Sequence, residues 1–296
     1  MTNIDLHIHT TKSDGSLTPF QIIDEAKKNN VKFISIADHD TIDAYSDNLF
    51  SYAEKNGISI IPAVEISTKI SKCGIHILGY NIDLKNDNFK KKLEIVRNSR
   101  HIYLHDVAKK LNSIGYLLDL EELDKIDSVT KAHIARNVIE KPENSKLLIK
   151  SFSHIPNQGE FIETIMNEGC IAYVKKITLS PAEAAKIIRD AGGKVVVAHP
   201  VAYFYEDDID EKDIEKIVED TNADGIEANY LYVDRNNILI DDIEKWNNFA
   251  KKHNLFVTIG SDFHKKDGIR PEIGFHNYNF SLASEKVIEI INNLQK

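Results

Sequence analysis

Apolar residues along the chain follow two alternating rhythms. Short β-rich runs occur at Ile4–Ile8, Lys32–Ala37, Ile58–Ile66, Ile75–Tyr80, Val195–Ala198, Gly225–Ala228 and Phe256–Ile259. Longer stretches with helical spacing separate most of them. Such alternation predicts parallel strands in an α/β fold. Two helix starts are explicit. Thr18-Pro19-Phe20-Gln21 and Ser180-Pro181-Ala182-Glu183 each supply an N-cap hydroxyl, a first-turn proline and a capping-box partner. The run Lys194–Ala198 is short and almost wholly apolar, as befits a strand buried on both faces.

Residues 88–167 read differently. They are helical in pattern, rich in Lys, Glu and Asn, and carry no strong strand. Leu93, Val96, Arg97, Tyr103, Val107 and Leu111 mark a mixed amphipathic helix. This block is expected to be a helical subdomain inserted into a domain formed by residues 1–87 and 168–296. The Lys90-Lys91-Lys92 run within it reads as a solvated helix start.

Composition narrows the picture. The 296 residues carry 37 Lys+Arg against 46 Asp+Glu, a formal net charge of −9. That balance argues against a basic nucleic-acid coat and favours short substrates over long duplexes. Two cysteines, Cys73 and Cys170, cannot build a disulfide framework. No apolar run reaches the ~18 residues that span a bilayer. The N-terminus shows no basic region leading into an apolar stretch, so a cytoplasmic globular protein is expected.

The chemistry lies in ionisable residues at strand ends. His7 and His9 alternate at the end of the first run and point to one face of a strand. Asp14 follows in the next loop. Asp38-His39-Asp40 directly follows an apolar run and would be costly to bury unpaired. Glu65 sits inside the apolar run Ile60–Ile66, where a carboxylate needs a partner or a metal. His76 enters the run Ile75–Tyr80, His199 ends the run before it, and Asp262 and His264 follow Phe256–Ile259. In a parallel barrel all strands end at one face, and His7, His9, Asp14, His39, Glu65, His76, His199, Asp262 and His264 would converge there. Imidazole plus carboxylate without thiolate suits manganese, iron or zinc. Nine ligands exceed one coordination sphere, so two or three divalent ions are implied. With three ions, the three carboxylates would leave a formal +3 centre able to attract a phosphoryl dianion despite the acidic chain.

These motifs resemble a known family. His7-Ile8-His9-Thr10, Ser13-Asp14-Gly15, Ala37-Asp38-His39-Asp40-Thr41, Val64-Glu65-Ile66-Ser67, His76-Ile77-Leu78-Gly79-Tyr80, Ala198-His199-Pro200 and Gly260-Ser261-Asp262-Phe263-His264 resemble the polymerase and histidinol phosphatase (PHP) superfamily. Thr130-Lys131-Ala132-His133-Ile134-Ala135-Arg136 is similar to its stand-alone bacterial phosphoesterases, which include 3′,5′-nucleotide bisphosphate phosphatases and a 5′-to-3′ exoribonuclease. The resemblance implies a distorted (β/α)7 TIM-like barrel with the helical insertion over a trinuclear face. It implies one ion on His7, His9, Glu65 and Asp262, a second on Glu65, His76 and His199, and a third on Asp14, His39 and His264. The chain departs from the pattern at Ala44, at Ser151–Gly159 and in the segment after His264.

The expected reaction is phosphate-ester hydrolysis by a metal-bridging hydroxide centred on Glu65 and His199. The substrate would be a small phosphorylated molecule of nucleotide type, such as a 3′,5′-bisphosphonucleotide or a nucleoside monophosphate. Among six arginines, Arg136 shares a helical face with His133, and both are assigned to substrate, His133 as a proton donor or phosphate contact. Arg270 and Lys175 are further phosphate candidates. Asp38 and Asp40 are expected to accept from metal-bound histidines. Alternatives are a 5′-to-3′ exonuclease on short single-stranded RNA or DNA ends, a histidinol-phosphate phosphatase, and a non-catalytic metal-binding module. The pair His101 and His105 lacks the glutamate of a metalloprotease helix. Cys73 reads as a packed residue, and Gly192-Gly193 as a helix-to-strand turn.

Overall fold

A computed structural model describes residues 3–126, 129–175, 178–207, 209–234, 236–278 and 280–295. The strands, in chain order, are β1 (Ile4–Ile8), β2 (Phe33–Ile36), β3 (Ser59–Ile60), β4 (Ala63–Lys69), β5 (Gly74–Tyr80), β6 (Lys194–Val197), β7 (Gly225–Asn229), β8 (Tyr232–Val233), β9 (Leu239–Ile240) and β10 (Phe256–Ile259). They form a sheet β1-β2-β3, a sheet β10-β7-β6-β5-β4 and a small β8-β9 hairpin. Both expected capping boxes are present, Thr18 with Gln21 before Pro19–Lys28 and Ser180 with Glu183 before Pro181–Asp190.

The sheets are not purely parallel. β5 runs antiparallel to both β4 and β6. This corrects the all-parallel expectation, and it places His76, near the start of β5, at the same edge as the C-terminal end of β6. The run Ile58–Ile66 splits into β3 and β4 around Ile61 and Pro62. Proline has no N–H for a ladder, so the break falls where the ladder cannot continue. Single bridges, Ile8 to Phe263 and His39 to Glu65, join residues of the two sheets, and among the described residues no continuous ladder closes them.

The chain divides into two compact units, Met1–Leu93 with Leu179–Lys296, and Glu94–Thr178. The first boundary lies later than residue 88 for a packing reason. Helix Asp87–Ser113 begins with Phe89 and Leu93 buried in the first unit's core, beside Ile82, Ile188 and Val195. The second unit is helical and has its own core, which includes Leu104, Leu111, Ile134, Val138, Phe161 and Met166. Each such buried side chain contributes roughly 1.5–3 kcal/mol. Among the described residues no helix is long and apolar enough to cross a membrane.

Candidate metal centre

All nine strand-end residues meet at one place in the first unit. β1 carries His7, and the chain just past it carries His9, whose backbone N–H donates to Phe263 O at 2.9 Å and ties the two motifs together. Gly15 lets the following loop fold back, because a Cβ there would lie 2.4 Å from His9 O. β2 delivers His39, β4 Glu65, β5 His76, and the ends of β6 and β10 deliver His199, Asp262 and His264.

Glu65 is the hub. It is 1% exposed. Its Oε1 lies 2.9 Å from His76 Nδ1 and 3.1 Å from His199 Nε2. Its Oε2 lies 3.3 Å from His7 Nε2, 3.3 Å from His9 Nε2 and 3.1 Å from His39 Nδ1. Asp262 Oδ1 is 3.5 Å from His7 Nε2 and 3.1 Å from His9 Nε2. Asp14 Oδ2 is 3.7 Å from His39 Nε2 and 3.3 Å from His264 Nε2. Three donor groups converge closely: His7, His9 and Asp262; His39, Glu65 and His76; and His9, Asp14, His39 and His264.

The donor set fits cations. His39 Nδ1, His76 Nδ1 and His199 Nδ1 are buried without a hydrogen-bond partner. Two of them nevertheless stand close to Glu65 oxygens. His7 Nε2 and His9 Nε2 face each other at 3.1 Å. Two buried ring nitrogens that stand this close to Glu65 oxygens without hydrogen-bonding to them fit a cation shared between the residues. A buried polar atom left unpaired costs about 1–3 kcal/mol, which a bound ion removes.

Electrostatics make the same point. Burial opposes charge on Glu65, but His76, His39 and His7 hold its carboxyl well below the usual range. Burial likewise opposes charge on Asp262 and Asp14, and the surrounding imidazoles hold both low. Burial disfavours a charged His9, yet Asp262 and Glu65 lift it to about 10. His7 is raised against burial by Glu227, Glu65 and Asp262, and His199 by Glu65. His39 is pushed down by burial, with His9 and His76 adding to that effect. Without ions, the raised imidazoles of His7, His9 and His199 offset charge on the neighbouring carboxylates.

Asp38 corrects an expectation. Its oxygens accept from Thr10 N–H at 2.7 Å, Thr10 Oγ1 at 2.7 Å and Ser13 Oγ at 2.6 Å, not from an imidazole. Ser13 Oγ stands 3.4 Å from His9 Nδ1, so Asp38 reaches that ring through a hydroxyl. Hydroxyls and an N–H on the adjoining loop saturate the carboxylate first. Asp40 accepts from Ser67 N–H at 2.9 Å.

Arg270 lines a cavity of about 200 Å³ together with His199, Tyr230, Ser261 and Asp262. His133, Arg136 and Lys175 belong to the second unit. There His133 Nδ1 accepts from Thr130 N–H at 3.2 Å and completes a capping box at the start of helix Lys131–Glu140. Arg136 and Lys175 are exposed.

Several participants escaped the sequence reading. Glu227 on β7 is fully buried, and both its oxygens lie 3.1 Å from His7 Nδ1. Its position inside the apolar run Gly225–Ala228 was the same signal that marked Glu65. Tyr230 donates its O–H to Asp262 Oδ2 at 3.0 Å. His76 N–H donates to Tyr203 Oη at 2.8 Å. Asp5, fully buried and pushed up to about 6 by that burial, accepts from Ser261 and Gly274 and pins the loop that carries Asp262.

Comparison with known proteins agrees with this geometry. A family model described as the PHP domain matches residues 5–237. A 5′-3′ exoribonuclease of Haemophilus influenzae is 29% identical over 265 residues, covering 88% of this chain and 89% of the relative. A 3′,5′-nucleoside bisphosphate phosphatase of Chromobacterium violaceum is 27% identical over 268 residues, covering 89% and 88%. The crystal structure of a protein from Bifidobacterium adolescentis, described as a metal-dependent phosphoesterase, shares the fold at a TM-score of 0.70 and 21% identity, covering 98% of this chain and 96% of that one.

Proposed function

The chain belongs to the PHP family, a family of metal-dependent phosphoesterases, and from that premise we propose that it hydrolyses phosphate esters of nucleotide type. The favoured substrates are 3′,5′-bisphosphonucleotides or nucleoside monophosphates. The observation that carries this reading is the two-sided environment of Glu65, with imidazoles on each carboxylate oxygen. One ion is assigned to His7, His9, Glu65 and Asp262, a second to Glu65, His76 and His199, and a third to Asp14, His39 and His264. Manganese is the first choice of metal, with iron or zinc as alternates. Divalent ions held by these residues would supply an activated water and would offset charge on the phosphoryl oxygens.

The chain's own groups supply position and charge. Arg270 shares a cavity with His199 and Asp262, and its planar fork suits phosphate oxygens. His133, Arg136 and Lys175 are retained as substrate residues on their chemistry alone. Tyr230 holds one oxygen of Asp262 and leaves the other turned to His7 and His9. The seven strands β1, β2, β4, β5, β6, β7 and β10 are read as a distorted (β/α)7 barrel with seams at the single bridges.

A second reading, 5′-to-3′ exonuclease action on short RNA or DNA ends, is favoured by the similarity to the H. influenzae exoribonuclease. One panel separates the two: 3′,5′-bisphosphonucleotides, mononucleotides, histidinol phosphate and short 5′-phosphorylated oligonucleotides, each with added manganese. Phosphate release from the bisphosphonucleotide supports the first reading, and stepwise shortening of the oligonucleotide supports the second. Turnover of none of them overturns both.

A further inference from the structure

Glu227 is 0% exposed and lies on β7, which is hydrogen-bonded between β6 and β10. It belongs to none of the converging donor groups. Its two oxygens both stand 3.1 Å from His7 Nδ1, on the far side of a ring whose Nε2 faces Glu65, His9 and Asp262. A carboxylate can only accept there, so Nδ1 of His7 carries a proton, and once a metal displaces any proton on Nε2 that nitrogen would present its lone pair to the ion.

The same carboxylate reaches a second donor residue. His199 N–H donates to Glu227 Oε2 at 2.9 Å. His199 has φ 23° and ψ 61° and directly precedes Pro200. This conformation is sparsely populated for a non-glycine residue, and a following proline restricts it further. Such backbone persists only where its surroundings hold it. Glu227 supplies that hold from the centre of the sheet.

Space has been cleared for this arrangement. A Cβ on Gly260 would lie 2.3 Å from Glu227 Oε1 and 2.2 Å from His7 Cβ. We propose that Glu227 is the positioning residue of the metal centre, orienting the His7 ring through Nδ1 and clamping the His199 backbone through its N–H. It acts through two histidines rather than on substrate. The inference rests on the reading of the cluster as a metal centre, not on the identity of the ester.

The test uses the full chain, stripped and reloaded, and reads metal binding rather than turnover. Ring-nitrogen NMR of the zinc-loaded wild-type protein should show His7 protonated at Nδ1 with Nε2 metal-bound; a proton on Nε2 overturns the proposal without any variant. Glu227→Gln removes one of the two acceptors, and Glu227→Asp withdraws the carboxylate by one methylene. Each is expected to weaken Mn²⁺ binding about 10–100-fold in chelator competition while the metal-free circular dichroism is unchanged. Wild-type Mn²⁺ affinity in both folded variants also overturns it. A panel in which no ester is hydrolysed leaves these readouts intact, so the two failures are distinguishable.

Discussion

Glu65 Oε1 lies 2.9 Å from His76 Nδ1, yet that buried nitrogen has no hydrogen-bond partner. Such an approach without a hydrogen bond fits two ligands of one cation. His199 Nε2 approaches the same oxygen at 3.1 Å, while His7, His9 and His39 approach the other. Glu65→Gln keeps the shape and removes the charge shared by both sides. The variant is expected to lose at least one bound ion per chain by elemental analysis and more than about a hundredfold in phosphate release. His199→Ala should do the same with the fold intact. Full turnover with full metal content in either variant would refute the bridging assignment.

Metal loading should release protons. In the metal-free centre His9 is pushed up to about 10 and His7 well above its ordinary value, so these two rings hold protons near neutral pH, and His199 is raised as well. An imidazole binds a metal only after that proton leaves. Lower pH therefore favours the protonated, metal-free centre, and affinity rises as pH rises toward the raised values. Titration calorimetry in two buffers of different ionisation enthalpy should show Mn²⁺ binding with net proton release at neutral pH. A heat that is identical in both buffers would contradict the charge balance described for this cluster.

Much of this centre was legible because strand ends and histidines coincide in the sequence. Eight of the nine residues interrupt or closely follow apolar runs, and Asp14 lies in the loop just past the first of them. The same pattern should have found Glu227, but its partners, His7 and His199, lie on other elements, and only the sheet brings them to it. Strand direction was not legible. A run such as Ile75–Tyr80 has the same apolar content whichever way it runs, and β5 proved antiparallel. Asp38 was misread because the competing hydroxyls, Thr10 and Ser13, become its neighbours only once β1 and β2 pair.

Arg270 offers a test of substrate recognition separate from the metals. It is exposed on a cavity it shares with His199 and Asp262, while its backbone serves the local turn, the N–H donating to Asp267 at 2.9 Å and the carbonyl accepting from Asn277 at 2.7 Å. Removing a charge-assisted contact to phosphate costs about 1.5–3 kcal/mol. Arg270→Ala is therefore expected to raise KM about tenfold or more, with kcat and metal content much less affected. Arg270→Lys should recover part of the loss, since lysine keeps the charge but not the fork. Unchanged KM in Arg270→Ala would remove this residue from the substrate site.

Gly260 provides a stability test tied to the same geometry. The position follows β10 and faces His7 on β1, and an added methyl group would sit 2.2 Å from His7 Cβ and 2.3 Å from Glu227 Oε1. His7 is fully buried and cannot step aside. Overpacking of this kind costs about 1–3 kcal/mol. Gly260→Ala should lower both the melting temperature and Mn²⁺ affinity, because the displaced atoms belong to the pair that orients a ligand. Gly57→Ala is the control. Gly57 has φ +72° with open space around it, so alanine there strains the backbone without touching the centre. It should lower the melting temperature and leave Mn²⁺ affinity alone. If Gly260→Ala loses stability but binds Mn²⁺ as the wild type does, the tight packing of His7 against Glu227 is structural only and does not govern the metal centre.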